Sequence, residues 1–218
     1  MTILIGTNNR HKAEEMTAIL QASMGDDIRI LRPEEIPSFP ADIAETGKTL
    51  EENAYIKAAV IFEATGIPCI ADDTGLEVDA LGGRPGVYSA RYAGETADAA
   101  GNRSLLLHEL QDIPADRRTA HFRTVLCYRD SIRTLFAEGL CRGTIATEEH
   151  GEHGFGYDAL FRPDGYEQTF AEMDPAEKNR ISHRSRALDN FASVLTAYRN
   201  TVEVKAGDTH SEPESATV

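Results

Sequence analysis

The stretch Ile70–Arg91, IADDTGLEVDALGGRPGVYSAR, is the one on which the fold turns. Its approach, Pro68–Ala71, is an apolar run long enough only for a short buried strand. Two adjacent carboxylates, Asp72 and Asp73, follow where that strand is expected to end. Gly75, Gly82, Gly83, Pro85 and Gly86 then mark a turn-rich segment. In open α/β sheets, ligands bind in the crevice beyond the carboxyl ends of the strands. Carboxylates placed there suit a hard cation such as Mg²⁺, which takes oxygen ligands. An Asp-Asp pair also caps turns through its side-chain oxygens. Both readings stand on this stretch alone.

Upstream, Thr2–Gly6 has strand character, and Ala13, Met16, Leu20 and Met24 recur at helical spacing after the polar run Thr7-Asn8-Asn9-Arg10-His11-Lys12. Strand, polar loop and helix form the geometry in which helix amides bind phosphate, and Lys12 adds a point charge there. It is not a P-loop: aligned on Gly6, the signature fails at His11 and Ala13. Ile28–Leu31 is a second strand, and the proline-rich segment Pro33–Ala44 reads as loop. Thr49-Leu50-Glu51-Glu52 is a capping box opening a helix whose buried face is Leu50, Ala54, Ala58 and Ile61, with Gly66 and Pro68 ending it. Charge patterning alone leaves Glu45 and Lys57 as solvated residues of this segment.

Downstream, Thr96–Ile113 has a helical pattern with Leu106 and Leu110 on one side. Arg118–Tyr128 and Ile132–Leu140 alternate, so Arg129-Asp130-Ser131 reads as the turn of an antiparallel hairpin. Glu148, Glu149, His150 and His153 lie in a glycine-containing loop, whereas a zinc site wants ligands on stiffer elements with a matching second pair. In Gly154-Phe155-Gly156-Tyr157-Asp158, glycines around an aromatic permit close approach to a flat ligand, although Phe155 and Tyr157 also suit a core. The run from Glu177 to Arg184, with Lys178, His183 and Arg184, precedes a last helix striped by Leu188, Phe191, Leu195, Tyr198 and Val202. Cations at a helix start oppose the dipole, which a bound ligand, a partner carboxylate or simple surface exposure would each explain. Residues 205–218 are small and polar and are expected to form a disordered tail, leaving 1–204 as one domain.

Composition narrows the function. The 36 acidic residues against 22 basic give a formal charge of −14, which argues against a general nucleic-acid binder. No apolar stretch approaches the roughly 20 residues that span a bilayer, and Asn8, Asn9 and Arg10 interrupt any signal-peptide pattern. Cys69, Cys127 and Cys141 are odd in number and read as reduced thiols of a cytoplasmic protein.

Five runs in order resemble the inosine triphosphate pyrophosphatase family. They are T-N-N-R-H-K at Thr7–Lys12, E-T-G-K-T-L-E-E-N-A-Y-I-K-A at Glu45–Ala58, the run Ala71–Gly94, G-F-G-Y-D-A-L-F at Gly154–Phe161 and E-K-N-R-I-S-H-R at Glu177–Arg184. The resemblance implies a long mixed β-sheet flanked by helices, in two lobes with the active-site cleft between them. It implies hydrolysis of the triphosphates of inosine, deoxyinosine and xanthosine to monophosphate and pyrophosphate, with Mg²⁺, by a homodimer. Thr7, Asn8, Asn9, Arg10, His11, Lys12, Lys57 and Thr74 would contribute to the substrate site, with Thr74 standing where serine is more usual. Phe155, Gly156, Tyr157, Asp158, Lys178, His183 and Arg184 would complete it. Glu45 and Asp73 would hold the metal, and Asp73 would also accept the proton of the attacking water. A house-cleaning pyrophosphatase for other modified nucleotides and a non-catalytic nucleotide sensor are the alternatives.

Overall fold

The computed structural model describes residues 1–25 and 28–207, with side chains described through residue 196. Its strands are β1 (Thr2–Ile5), β2 (Arg29–Leu31), β3 (Cys69–Val78), β4 (Pro85–Gly86), β5 (Thr119–Arg129), β6 (Thr134–Ile145) and β7 (Phe161–Pro163). The helices are α1 (Arg10–Met24), α2 (Leu50–Thr65), α3 (Ala99–Glu109), α4 (Pro175–Ile181) and α5 (His183–Gly207). One seven-stranded sheet runs in the order β2-β1-β3-β5-β6-β7, with β4 paired to β3.

The sheet is mixed in a way that creates the cleft. Strand β1 pairs in parallel with β3 only at Leu4↔Cys69 and Ile5↔Ile70, whereas β5 follows β3 antiparallel along all ten of its residues. Between Ile70 and Leu76, where β4 takes over, one edge of β3 therefore has no strand neighbour. This corrects the expectation that the strand ends at Asp72-Asp73 and that Gly75 belongs to a turn. The strand continues through both carboxylates because β5 pairs each residue and because cations from the helices neutralise them. Gly75 is in the strand because Gly86 packs on it: a Cβ there would come 2.6 Å from the Gly86 carbonyl oxygen.

Three apolar clusters form the two lobes. On one side of the sheet, Ile3, Ile5, Met16, Leu20, Ile70, Leu126 and Phe191 join α1 and α5 to the strands. On the other, Leu50, Ala54, Ala58 and Ile61 of α2 cover Cys69, Ala71, Val125 and Cys127. The second lobe is built at the far ends of β3, β5 and β6, where Leu76, Val78, Leu106, Phe122, Phe161, Phe170 and Met173 cluster. Strands β3, β5 and β6 run through both lobes, ten, eleven and twelve residues long.

Helix ends obey local chemistry. Asn9 caps α1 by accepting from the Lys12 amide, Thr49 caps α2 by accepting from Glu52, and Gly66 closes α2 in the left-handed region. The expected capping box is shifted by one residue: Glu52 accepts from the Lys48 amide at 2.5 Å. The hairpin turn comprises Asp130–Arg133 rather than three residues, since Arg129 already pairs with Thr134 and Asp130 takes the Ile132 and Arg133 amides. The run Glu177–Arg184 falls in two helices separated by extended Ser182: Asp174 caps α4, Pro175 begins it, and His183-Arg184 are the first residues of the last helix, α5. Helix α5 also continues through Gly207, so residues 205–207 of the expected tail are helical. Residues 208–218, and the Tyr198 and Val202 side chains of the last stripe, lie outside the described residues.

Helix α5 docks on β6 at Gly139, where a Cβ would collide with His183 O and Ala187 N. Arg186 and Asn190 donate to Leu140 O at 2.7 Å and Glu138 O at 2.8 Å to hold that seat. Gly139→Ala is expected to cost about 1–3 kcal/mol or more of stability as α5 is pushed outward, measurable by urea unfolding.

Candidate active site

Successive strand residues face opposite sides of a sheet, so Asp72 and Asp73 answer to different helices. Asp72 faces α1 and α5. Its Oδ2 lies 3.0 Å from Lys12 Nζ and 3.7 Å from Arg184 Nη2, and it accepts from Thr74 Oγ1 at 3.1 Å. Asp73 faces α2. Its Oδ1 lies 3.0 Å from Lys57 Nζ and its Oδ2 accepts from Asn53 Nδ2 at 3.1 Å. Lys57 Nζ also lies 3.0 Å from Glu45 Oε1, so this buried ammonium joins two carboxylates. Solvated placement of Lys57 is thereby corrected: its position on α2 aims it under the sheet at Asp73.

All of these groups except Asp72 and Asn53, which lie behind its wall, line one cavity of about 540 Å³, which opens off the end of β1. Thr7, Asn8, Asn9, Lys12, Glu45, Lys57, Asp73 and Thr74 form one end. Phe155, Gly156, Tyr157, Asp158, Lys178, His183 and Arg184 form the other. Of the residues expected at the site, Arg10 and His11 stand apart. Arg10, first residue of α1, turns to solvent and pairs with Glu14 at 2.8 Å. His11 instead stacks on Phe155, ring centroids 5.5 Å apart. Asn8 and Thr74 reach the cavity with their polar groups engaged. Asn8 Nδ2 donates to Pro40 O and Ala41 O at 3.2 and 2.9 Å, and Thr74 Oγ1 lies 2.8 Å from Thr124 Oγ1.

The second end is framed by charge. Lys178 Nζ lies 2.8 Å from both Asp158 Oδ2 and Glu15 Oε1, and Glu15 also pairs with Arg184. Lys178 and Arg184 sit over the Phe155 ring, 5.1 and 5.7 Å from its centroid. His183 is buried and stacked on Phe122 at 4.5 Å, and its Nδ1 has no hydrogen-bond partner among the described residues. Tyr157 is a core residue as well as a lining one: its hydroxyl donates to Ser89 O at 2.9 Å.

Three residues of consequence escape sequence reasoning: Glu15, Asn53 and Phe122. Spacing held a signal for two of them, since Glu15 is one turn from Lys12 and Asn53 one turn from Lys57. Phe122 belongs to the alternating face of β5, where nothing local separates a core aromatic from a site aromatic.

Electrostatics divides the roles. Burial alone would raise the Asp72 carboxyl, but Lys12, Arg184 and Lys57 outweigh it and hold the group well below its usual range. Burial dominates at Asp73 and moves its carboxyl above the ordinary value, against the pull of Lys57 and Lys12. Burial keeps His183 neutral, helped by Arg184, Lys178 and Lys12, which drive its pKa well below the ordinary value. Glu45 and Asp73 offer oxygen donors on either side of one cationic position, a donor set that fits a hard divalent cation. Among the described residues, no cluster of three or more His, Cys, Asp or Glu side chains is placed to hold a metal ion, so Glu45 and Asp73 offer a two-carboxylate set.

Comparison with known proteins gives one consistent answer. The profile of the Ham1 family matches residues 3–194. A protein of Oceanobacillus iheyensis named dITP/XTP pyrophosphatase is 47% identical over 195 residues, covering 88% of this chain and 97% of that protein. One of the same name from Mycobacterium tuberculosis is 42% identical, covering 91% and 95%. A solved HAM1 protein from Coxiella burnetii superimposes with a TM-score of 0.79 at 38% identity, covering 90% of this chain and 99% of that one.

Asp72 stabilises the fold fully only above its unfolded pKa near the ordinary value of 3.8, because its folded value is depressed. Asp72→Asn should cost about 3–5 kcal/mol at neutral pH by stranding buried cations. That difference should shrink as acid titrates the wild-type carboxylate, which chemical unfolding at a series of pH values measures.

Proposed function

The chain belongs to the Ham1 family, and on that premise we propose that it hydrolyses non-standard purine nucleoside triphosphates. The products are the monophosphate and pyrophosphate, and the substrates are inosine, deoxyinosine and xanthosine triphosphates. One observation carries this reading. A single cavity joins a carboxylate-and-ammonium end to an aromatic end bearing a neutral histidine and two cations.

At the first end, Lys12 and Lys57 face the triphosphate and offset its charge, the main requirement in phosphoryl-type transfer. Glu45 and Asp73 would hold Mg²⁺, which when bound neutralises phosphate charge and orients the chain. Asp73 accepts a proton from the water that attacks phosphorus, and the bond to the pyrophosphate oxygen breaks. Its burial makes it more basic than an exposed aspartate, and a placed general base contributes about 10²–10⁴-fold. The presence of both carboxylates around Lys57 favours catalysis over simple nucleotide sensing.

At the second end, Phe155 offers a ring for the base. Neutral His183, with Nδ1 unpartnered, and Arg184 supply donors for the 6-oxygen of hypoxanthine or xanthine. Adenine presents an amino group there and would leave those donors unpaired. Such sites reject the wrong ligand by about 10⁴-fold in favourable cases.

A homodimer belongs to the same proposal and rests on the family resemblance. Three free, buried cysteines support a cytoplasmic setting, and no described helix is long and apolar enough to cross a membrane.

Inosine, xanthosine, adenosine and guanosine triphosphates supplied with Mg²⁺ test the proposal. Pyrophosphate should appear from the first two at rates at least about 10²-fold above adenosine triphosphate. Release of single phosphate would overturn the reaction assigned. Asp73→Asn should lower kcat by about 10²-fold or more with an unchanged circular dichroism spectrum.

A further inference from the structure

Asn53 is fully buried in α2, one turn ahead of Lys57. Its amide joins two unlike partners. Oδ1 accepts the Gly47 N–H at 2.8 Å, and Nδ2 donates to Asp73 Oδ2 at 3.1 Å. Chemistry fixes that orientation, since a backbone N–H only donates and an ionised carboxylate only accepts. Gly47 stands two residues after Glu45. A Cβ on it would fall 2.6 Å from Asn53 Oδ1 and 2.9 Å from Asn53 N, so this loop reaches the helix only with glycine there.

The same two elements are bridged a second time by Lys57, at 3.0 Å to Glu45 and 3.0 Å to Asp73. The two bridges differ in what a cation does to them. A divalent ion held by Glu45 and Asp73 would compete with the Lys57 ammonium for their oxygens. The Asn53 bridge ends on a backbone amide instead of on Glu45, so such an ion would not compete for its Gly47 end.

We infer that Asn53 is a positioning residue whose amide sets the gap between the Glu45 loop and the Asp73 carboxylate, and with it the divalent-cation position. The inference rests on the reading of Glu45 and Asp73 as that position. Asn53 does not line the cavity; it acts through the Gly47 backbone and through Asp73 Oδ2. Outer-shell partners of this kind cost about 10–100-fold in metal affinity or activity when removed.

The experiment compares wild type, Asn53→Ala and Asn53→Asp. It measures Mn²⁺ affinity by electron paramagnetic resonance, kcat and KM for inosine triphosphate at saturating Mg²⁺, and hydrogen exchange at the Gly47 amide. Asn53→Ala should bind Mn²⁺ about 10–100-fold more weakly and lose kcat, with KM within about twofold and Gly47 deprotected. Asn53→Asp keeps an acceptor for Gly47 but sets a carboxylate against Asp73. It should lose kcat about tenfold while the Gly47 amide stays protected. Wild-type protein that takes up no Mn²⁺ overturns the cation reading and this inference with it. Wild type that binds Mn²⁺ beside an equally tight Asn53→Ala overturns this inference alone. Should Asn53→Ala fail to fold, Asn53→Asp turning over at the wild-type rate also overturns it.

Discussion

Two neighbouring carboxylates in the middle of a buried strand are an electrostatic liability, and the surrounding structure is arranged around their neutralisation. An ionised carboxylate moved from water into protein costs several kcal/mol unless it is paired and hydrogen-bonded. Here strand geometry sends Asp72 to one face and Asp73 to the other, so each meets its own cation. Lys12 of α1 and Arg184 of α5 serve the first; Lys57 of α2 serves the second. Helices on both sides of β3 are thus fixed by charge as well as by the apolar contacts of Ile70 and Ala71. A site follows where β1 stops short and leaves Asp73, Lys12 and Lys57 lining a cavity beside the unpaired stretch of β3.

The pairing also distributes the chemistry. Asp72 is surrounded by positive charge and accepts from the Thr74 hydroxyl, so it stays ionised and holds Lys12 in place. Asp73 has one cation, one amide and greater dominance of burial, which suits a group that must take up a proton. Adjacent identical residues acquire different duties from the period of a strand and from what lies above and below it. At the far end of the cavity a second buried network, Asp158, Lys178, Glu15 and Arg184, fixes the cations beside the Phe155 ring.

Much of this was legible in residue order, for physical reasons that are local. The face Leu50, Ala54, Ala58 and Ile61, the cap at Thr49 and the alternating face of β5 depend on spacing within a few residues, and each is found as expected. The run of β3 through Asp72-Asp73 was not legible. Its continuation depends on cations at positions 12, 57 and 184 and on a strand that pairs from fifty residues away. The same holds for Lys57, whose burial follows from α2 lying under the sheet. Arg10 fell on the solvent side of α1 and His11 against Phe155 through their positions on the helical wheel, details that a motif match does not carry. Glu15 and Asn53 had a helical spacing that pointed at them, but only once Lys12 and Lys57 were known to face inward.

The continuity of β3, β5 and β6 through both lobes sets the mechanics of the cleft. In proteins whose lobes are joined by loops, closure is a rotation absorbed by a few backbone torsions. Here the floor is hydrogen-bonded sheet, with no break between the residues that pack under α2 and those that pack around Phe122. Narrowing of the cleft must therefore be shared as a small increase in twist along each strand, as in a leaf spring. Deformation of that kind has a restoring force that grows with displacement, so the open shape is recovered elastically once the load is removed.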